Sequence, residues 1–224
     1  MVDIQVEGCV TTLEEARSVH EAGGHRLELC RELHTGGLTP GADVVRAVIA
    51  CMELPVMAMV RPKAGHFRAS AGDVATMLRE LEELADLHVD GVVLGVLTGE
   101  NEVDSGALRE LVHGSPVPVT LHKAFDETVD PLAALEVLME TGVSRVLTSG
   151  GADTAWDGRE VLRELVAAAG EDLVVLGGGG VRGDHVQRLL DETGLREVHA
   201  RALAVPGIMR ALGLGPGEGG RGGG

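Results

Sequence analysis

From residue 2 to about residue 200, short runs rich in β-branched residues alternate with amphipathic stretches of helical period. This alternation is typical of repeated βα units, in which helices connect parallel strands. The predicted strands are Val2–Glu7, Arg26–Leu29, Val56–Val60, Gly91–Leu94, Val117–Leu121, Val146–Thr148, Leu173–Leu176 and Glu197–Ala200. The clearest predicted helices are Leu13–Ala22, Val74–Leu87, Pro131–Thr141, Arg159–Ala169 and Asp184–Thr193.

The βα units can close into a barrel or spread into a doubly wound open sheet. Their even repetition, with no dinucleotide-binding fingerprint after the first strand, favours closure. A chain of 224 residues suits one such barrel. The sequence therefore predicts an α/β fold, a single (β/α)8 TIM barrel over residues 1–212. Its final helix, at Pro206–Leu212, is expected to be short or missing, and the Gly-rich segment 213–224 is expected to be disordered.

The charge and hydropathy of the sequence argue against nucleic acid and membranes as partners. The chain has only three aromatic residues, so its core must be packed from aliphatic side chains and Met. The formal charge of −16 argues against a nucleic-acid partner, because binding phosphates needs clustered Lys and Arg. No apolar run reaches the length of a transmembrane helix and no signal peptide begins the chain, so we expect a cytoplasmic protein with no membrane partner.

Candidate metal ligands lie at the ends of the first two strands. The first strand ends Glu7-Gly8-Cys9 and the second Glu28-Leu29-Cys30, and period-two alternation places each Glu and its Cys on one face. Thiolates on neighbouring strands suit a soft metal such as Cu(I). The alternative is that Cys9 and Cys30 are small buried hydrophobes, and Cys51 is expected to be a core residue. With three cysteines, an odd number, reduced thiols are the default.

The two glutamates need a partner, because burying a carboxylate without a cation or donor is unfavourable. Arg61, at the end of the third strand, is the candidate, and it could bind either Glu7 and Glu28 or a substrate carboxylate. The alternative is a salt-bridged lumen with a purely structural role. Both readings stay open at this point.

The fifth strand runs into His122-Lys123-Ala124-Phe125-Asp126. His122 is the candidate general acid or base. Lys123 could form a Schiff base, but strand alternation points it away from the face that His122 uses. Asp126 is expected to orient His122 or to cap the next helix.

Glycine runs after the sixth and seventh strands, at 149–151 and 177–180, could bind an anion through backbone amides. Barrels often bind phosphate in this region, although such runs also make tight turns without any ligand. His199 and Arg201, at the end of the eighth strand, would add a donor and a cation. The candidate anion-binding residues are Ser149, Gly150, Gly178, Gly179 and Arg201.

Several motifs, taken in order, resemble the CutC family along nearly the whole chain. They are RLELC with GGLTP, RPKAGHF, GVVLGVL, HKAFD, VLTSGG, GGGGV and EVH. The resemblance implies a (β/α)8 barrel associated with copper homeostasis. It also implies copper ligation through cysteines of the first two strands, the positions that Cys9 and Cys30 occupy.

Two functions are therefore carried forward. The first is Cu(I) binding by Cys9 and Cys30, with Glu7, Glu28 or His66 as possible further ligands. The second is a barrel enzyme that acts on a small anionic or phosphorylated metabolite, with His122 as acid or base and Arg61 and the glycine loops as anion binders. Whether the chain is an enzyme stays open, and a homodimer is possible.

Overall fold

Eight parallel strands, in the order of the sequence, close into a barrel within residues 4–215, which are the residues that the computed structural model describes. The strands are β1 Gln5–Val10, β2 Arg26–Leu29, β3 Val56–Met59, β4 Gly91–Leu94, β5 Val119–Leu121, β6 Arg145–Thr148, β7 Val174–Gly178 and β8 Glu197–Arg201. The helices are α1 Leu13–Glu21, α2 Ala42–Cys51, α3 Ala71–Asp86, α4 Ser105–Gly114, α5 Pro131–Thr141, α6 Arg159–Ala169, α7 Val186–Thr193 and α8 Val205–Ala211. Short 3-10 helices add Leu33–Thr35, Lys123–Glu127 and Ala202–Ala204.

The predicted (β/α)8 barrel is confirmed by this topology. The last helix, α8, has only seven residues, which confirms that it is short. In the predicted disordered segment, Gly213 and Leu214 still donate backbone hydrogen bonds to the last turn of α8. Residues 216–224 lie outside the described residues, so the prediction of disorder stays a prediction.

Local sequence fixes where several helices begin. The Thr12 hydroxyl accepts from the Glu15 amide at the start of α1. At the start of α3, Ser70 and Asp73 form a reciprocal capping box. Such caps satisfy backbone donors that the first helical turn leaves free, and each stabilises its helix by about 1 kcal/mol.

The strands bury one face against the helices and turn the other into the lumen. On β2, Leu27 and Leu29 join the large apolar core, whereas Arg26 and Glu28 point inward. Apart from Phe125, the largest fully buried side chains are leucines, as the aliphatic composition predicts. The large apolar core therefore lies between barrel and helices, and the lumen holds charged groups together with a smaller cluster that includes Met57, Met59 and Val93.

A buried ion network occupies the lumen and consists of Glu7, Arg26, Arg145 and Glu197. The Arg26 guanidinium donates to Glu7 and, at 2.5 Å, to Glu197. Glu197 also accepts from Arg145 Nε at 2.8 Å. The parallel register of β1 and β2 places Glu7 directly opposite Arg26. Each acid in this network is thus paired with a cation, as burial requires.

Among the described residues, no helix combines the length and the apolarity needed to cross a membrane.

Candidate functional site

A cavity of about 610 Å³ opens at the rim formed by the carboxyl ends of the strands. This is the end of a (β/α)8 barrel at which active sites lie. Two groups of polar residues line it. One side carries Cys9, Glu28, Cys30 and His199, which we call the donor cluster, and the other side carries residues of the segment after β5.

The two thiols of the donor cluster are neighbours. Cys9 Sγ and Cys30 Sγ lie 3.9 Å apart, and both side chains are buried and free of disulfides. Cys9 stands opposite Glu28 in the β1–β2 register, which brings Cys30, two residues later, to the next level of the rim. Met57 and Met59 belong to the same buried cluster as the two cysteines. The predicted alternation, with each Glu and its Cys facing the lumen, is confirmed by this arrangement.

The surroundings of Cys9 favour its protonated thiol form. The adjacent Cys30 sulfur, burial and the charge of Glu28 raise the pKa of the Cys9 thiol well above its ordinary value. Burial likewise raises the pKa of Glu28. Within residues 4–215, Glu28 Oε1 has no hydrogen-bond partner although it is fully enclosed. The cluster thus contains an acceptor that the protein itself leaves unsatisfied, which is uncommon for buried polar atoms.

His199 connects the donor cluster to the ion network. Its Nδ1 lies 2.8 Å from Glu7 Oε1, and its Nε2 lies 3.5 Å from Glu28 Oε2. Burial would lower the pKa of His199, but the charges of Glu28 and Glu7 outweigh it and raise that pKa. Burial would raise the pKa of Glu7, but the His199 hydrogen bond and the Arg26 charge lower it to about 2. Glu7 is therefore ionised and fixes the orientation of the imidazole.

Arg61 does not reach the glutamates, so the expectation that it neutralises Glu7 and Glu28 is wrong for both. Its Nη1 donates to the carbonyls of Thr35 and Gly37 at 2.9 and 3.1 Å, and its Nη2 donates to a carbonyl of the next loop. Arg26, at the start of β2, pairs with Glu7 instead, and His199 lies 3.5 Å from Glu28. Arg61 ties together the loops that cover the donor cluster, since Gly37 lies against the Cys30 sulfur.

His122 is buried beside Phe67, with 4.8 Å between the ring centroids. Its Nδ1 accepts from the Ala124 amide at 3.1 Å, so the proton of the neutral ring sits on Nε2. Burial and the Arg61 charge lower the pKa of His122 to about 3. Among the described residues Nε2 has no partner. His122 is thus a neutral hydrogen-bond donor in the cavity wall, while its predicted acid or base role stays a prediction.

Lys123 lies in the same cavity wall as His122, contrary to the expectation from strand alternation. The strand ends at Leu121 and a 3-10 helix begins at Lys123, so period-two alternation no longer applies. Its ammonium contacts Ser149 Oγ at 2.9 Å and Asp126 Oδ2 at 3.0 Å.

Asp126 holds the loop after β6. It accepts from the Thr148 hydroxyl at 2.5 Å and from the amides of Ser149 and Gly151 at 2.9 and 3.0 Å. In the described chain it neither orients His122 nor caps α5, whose N-cap is Asp130. Both expected roles of Asp126 are therefore wrong.

Some of the predicted anion-binding residues line the cavity, whereas others already use their backbone amides within the protein. The amides of Ser149 and Gly150 already donate to Asp126 and to the Thr148 hydroxyl, and Gly178 ends β7. Gly179 and Arg201 line the cavity, as does Arg182. Gly179 has φ +104°, a backbone conformation that strains any residue other than glycine.

Cys51 and His66 both lie away from the donor cluster. Cys51, expected in the core, is exposed because it ends α2 on the outward face. His66 is exposed on the loop after β3, outside the donor cluster.

The sequence analysis did not predict the role of Arg26 or the position of His199 beside the thiols. The closure of a barrel was the available signal, because it makes β8 a neighbour of β1 and sets His199 opposite Glu7.

A family model and individual relatives agree on one protein family for this chain. The model of the CutC family matches residues 4–204. A family protein CutC of Photobacterium profundum is 38% identical over 197 residues, covering 88% of this chain and 80% of the relative. A copper homeostasis protein cutC homolog of Mus musculus is 39% identical over 199 residues, covering 88% of this chain and 73% of the relative.

A solved structure agrees with these relatives. The crystal structure of CutC from Streptococcus agalactiae superimposes with a TM-score of 0.83 at 27% identity. The match covers 88% of this chain and 97% of that protein. Sequence and fold comparisons therefore agree over nearly all of the described barrel.

Proposed function

The chain belongs to the CutC family, and we propose that it serves copper homeostasis by binding Cu(I) through the thiolates of Cys9 and Cys30. The observation that carries the proposal is the 3.9 Å separation of the two sulfur atoms at the rim of the barrel. A relative named for copper homeostasis supports the copper role.

The donor chemistry fits Cu(I). Thiolate sulfur is a soft ligand and selects Cu(I) over hard cations. The cluster around Cys9 and Cys30 is completed by Met57, Met59 and Val93, an apolar surrounding with polarizable thioethers. Such a setting suits a soft, weakly hydrated ion such as Cu(I) better than a hard cation.

The sulfur separation also indicates the shape of the site. Two sulfurs at about 2.3 Å from one ion lie about 4.6 Å apart in a linear arrangement and about 3.8 Å apart at a tetrahedral angle. The observed 3.9 Å corresponds to the bent arrangement. A Cu(I) ion on this pair therefore leaves room for a third donor.

Loading requires the thiols to lose their protons, because the thiolate is the ligand. The pKa of Cys9 is raised well above its ordinary value, so a proton leaves Cys9 Sγ when the metal binds.

Cu(I) and free thiols both persist in a reducing compartment, so we place the function in the cytoplasm.

An anaerobic Cu(I) titration against a competing chelator tests the proposal. The wild type is compared with Cys9→Ser/Cys30→Ser, and Cys51→Ser serves as the matched control because its thiol is exposed and remote from the pair. We expect the double variant to lose tight stoichiometric binding and the control to keep it. Unchanged affinity in the double variant would end the copper proposal.

A second function rests on a different observation, the unpartnered Nε2–H of His122 in the cavity wall. A neutral imidazole donor beside Lys123, Arg182 and Arg201 suits a small anionic metabolite, as a substrate or as an effector. Inorganic phosphate and small carboxylates are the probes, with thermal stabilisation as the readout. If an anion stabilises the wild type and both His122→Gln and Lys123→Met reduce that stabilisation, the result supports this function. If no anion stabilises the wild type, the result opposes it.

A further inference from the structure

We propose that Cys9 Sγ, a Glu28 carboxylate oxygen and His199 Nε2 form a second coordination mode of the donor cluster, a three-ligand site for a zinc-type divalent cation. This mode shares Cys9 with the Cu(I) site and rests on the proposed function for the role of that thiol as a metal ligand. It differs in its other ligands, since Cu(I) uses Cys30. The two modes are mutually exclusive because they compete for one sulfur.

Geometry is the first argument. Among the described residues, Cys9, Glu28 and His199 form the group of potential metal ligands whose atoms all lie within 4.8 Å of one another. His199 Nε2 and Glu28 Oε2 are 3.5 Å apart. That separation is long for a hydrogen bond, but it is close to the roughly 3.4 Å edge of a tetrahedron with ligands about 2.0–2.1 Å from zinc.

The orientation of His199 is the second argument. Glu7 Oε1 lies 2.8 Å from Nδ1, and Glu7 is itself held by Arg26. Nδ1–H donates to the Glu7 carboxylate, so when the ring gives up its Nε2 proton to bind a cation the lone pair lies on Nε2, within reach of Glu28 and Cys9. A carboxylate behind the imidazole is the arrangement by which proteins fix histidine ligands of zinc.

The unsatisfied oxygen of Glu28 is the third argument, and it is independent of the other two. The Glu28 side chain is 4% exposed, and Oε1 has no hydrogen-bond partner in the described part of the chain. A buried carboxylate oxygen without a donor is unfavourable by itself. A cation bound by the Glu28 carboxylate would offset this cost.

The mixed donor set determines the class of metal. One thiolate, one imidazole and one carboxylate are borderline ligands that zinc-type ions accept, whereas Cu(I) prefers sulfur. Three protein ligands leave a fourth position for water or another molecule, as in catalytic zinc sites. Because all three residues line the rim cavity, that position faces the space that Lys123 and His122 also border.

Metal competition in selected variants tests the proposal. The probes are Zn(II) against a chromogenic chelator, Co(II) by its thiolate charge-transfer and d–d bands, and Cu(I) as above. His199→Gln and Glu28→Gln are expected to weaken Zn(II) at least about tenfold, since even changes behind a ligand cost about 10–100-fold. Both variants are expected to keep Cu(I) binding. Cys30→Ser is expected to keep Zn(II) affinity and the Co(II) thiolate band while losing tight Cu(I) binding, and Cys9→Ser loses both metals.

The controls separate this site from surface binding and from misfolding. His66→Gln removes an exposed histidine and is expected to leave every metal affinity unchanged. Thermal unfolding verifies the fold of each variant. If His199→Gln does not fold, the Zn(II) affinity of Glu28→Gln and the wild-type Co(II) spectrum test the divalent site.

The two proposals fail separately. Wild-type Zn(II) affinity in folded Glu28→Gln and His199→Gln, or a Co(II) spectrum without a thiolate band, would overturn the divalent site. Cu(I) binding that survives in Cys30→Ser, beside the expected Zn(II) pattern, would overturn the Cu(I) proposal alone.

Discussion

The ion network and the donor cluster occupy neighbouring levels of one lumen, yet their polar atoms differ in how they are satisfied. Glu7 and Cys9 are only two residues apart on β1. In the ion network each carboxylate has an arginine partner, so nothing further is needed. In the donor cluster a carboxylate oxygen is unpartnered and two thiols face each other at 3.9 Å. Burial alone therefore does not mark a functional group, whereas an unpartnered buried acceptor beside two facing thiols points to a binding site.

The largest expected effect comes from breaking the ion network. Arg26→Met leaves Glu7 and Glu197 without their shared cation, and we expect the free energy of unfolding to fall by about 3–5 kcal/mol. Urea denaturation at neutral pH measures it. Arg46→Met is the matched control, because its pair with Asp43 is exposed and should change stability by less than about 0.5 kcal/mol. Equal small losses in both variants would contradict the structural role of the network.

The donor cluster is expected to respond to pH through its affinity for metal. Since the pKa of Cys9 is raised well above its ordinary value, its thiol stays protonated through neutral pH, and binding must displace that proton. We expect Cu(I) affinity to rise about tenfold per pH unit for each thiol proton released. Competition titrations at pH 6, 7 and 8 measure the slope, and a flat profile would show that the thiols are not the ligands.

A smaller effect is expected from His122, on the opposite side of the cavity. Its folded pKa of about 3 lies below the ordinary 6.5, so between these values the unfolded chain binds a proton that the folded protein does not. Stability should therefore fall as pH falls through this window, by up to about 1.4 kcal/mol per pH unit. His122→Gln should remove this contribution between pH 6 and 5 in urea unfolding. An unchanged slope in the variant would mean that the imidazole is not held neutral.

The smallest effect is expected at Lys123, whose ion pair with Asp126 is part of a network that other donors already satisfy. Its side chain is 40% exposed, so Lys123→Met should lower the free energy of unfolding by about 1 kcal/mol or less. Urea denaturation checks this. A loss as large as that of Arg26→Met would show that the β5 side of the lumen also depends on buried charge.

The sequence predicts the barrel and the lumen face of Cys9 and Cys30 because strand alternation is a local property. It does not predict ion partners, since these depend on register between strands. Arg61 was expected to meet Glu7, but the β1–β2 register places Arg26 there. Lys123 was assigned to the wrong face because the strand ends before it and a 3-10 helix begins. His199 joins the thiols only because closure pairs β8 with β1.

X-ray absorption at the copper edge, on protein loaded anaerobically with one equivalent of Cu(I), tests the central claim most directly. The account predicts a first shell with two sulfur atoms in the wild type and in Cys51→Ser, and loss of that shell in Cys9→Ser/Cys30→Ser. A first shell of nitrogen and oxygen alone in the wild type would contradict it.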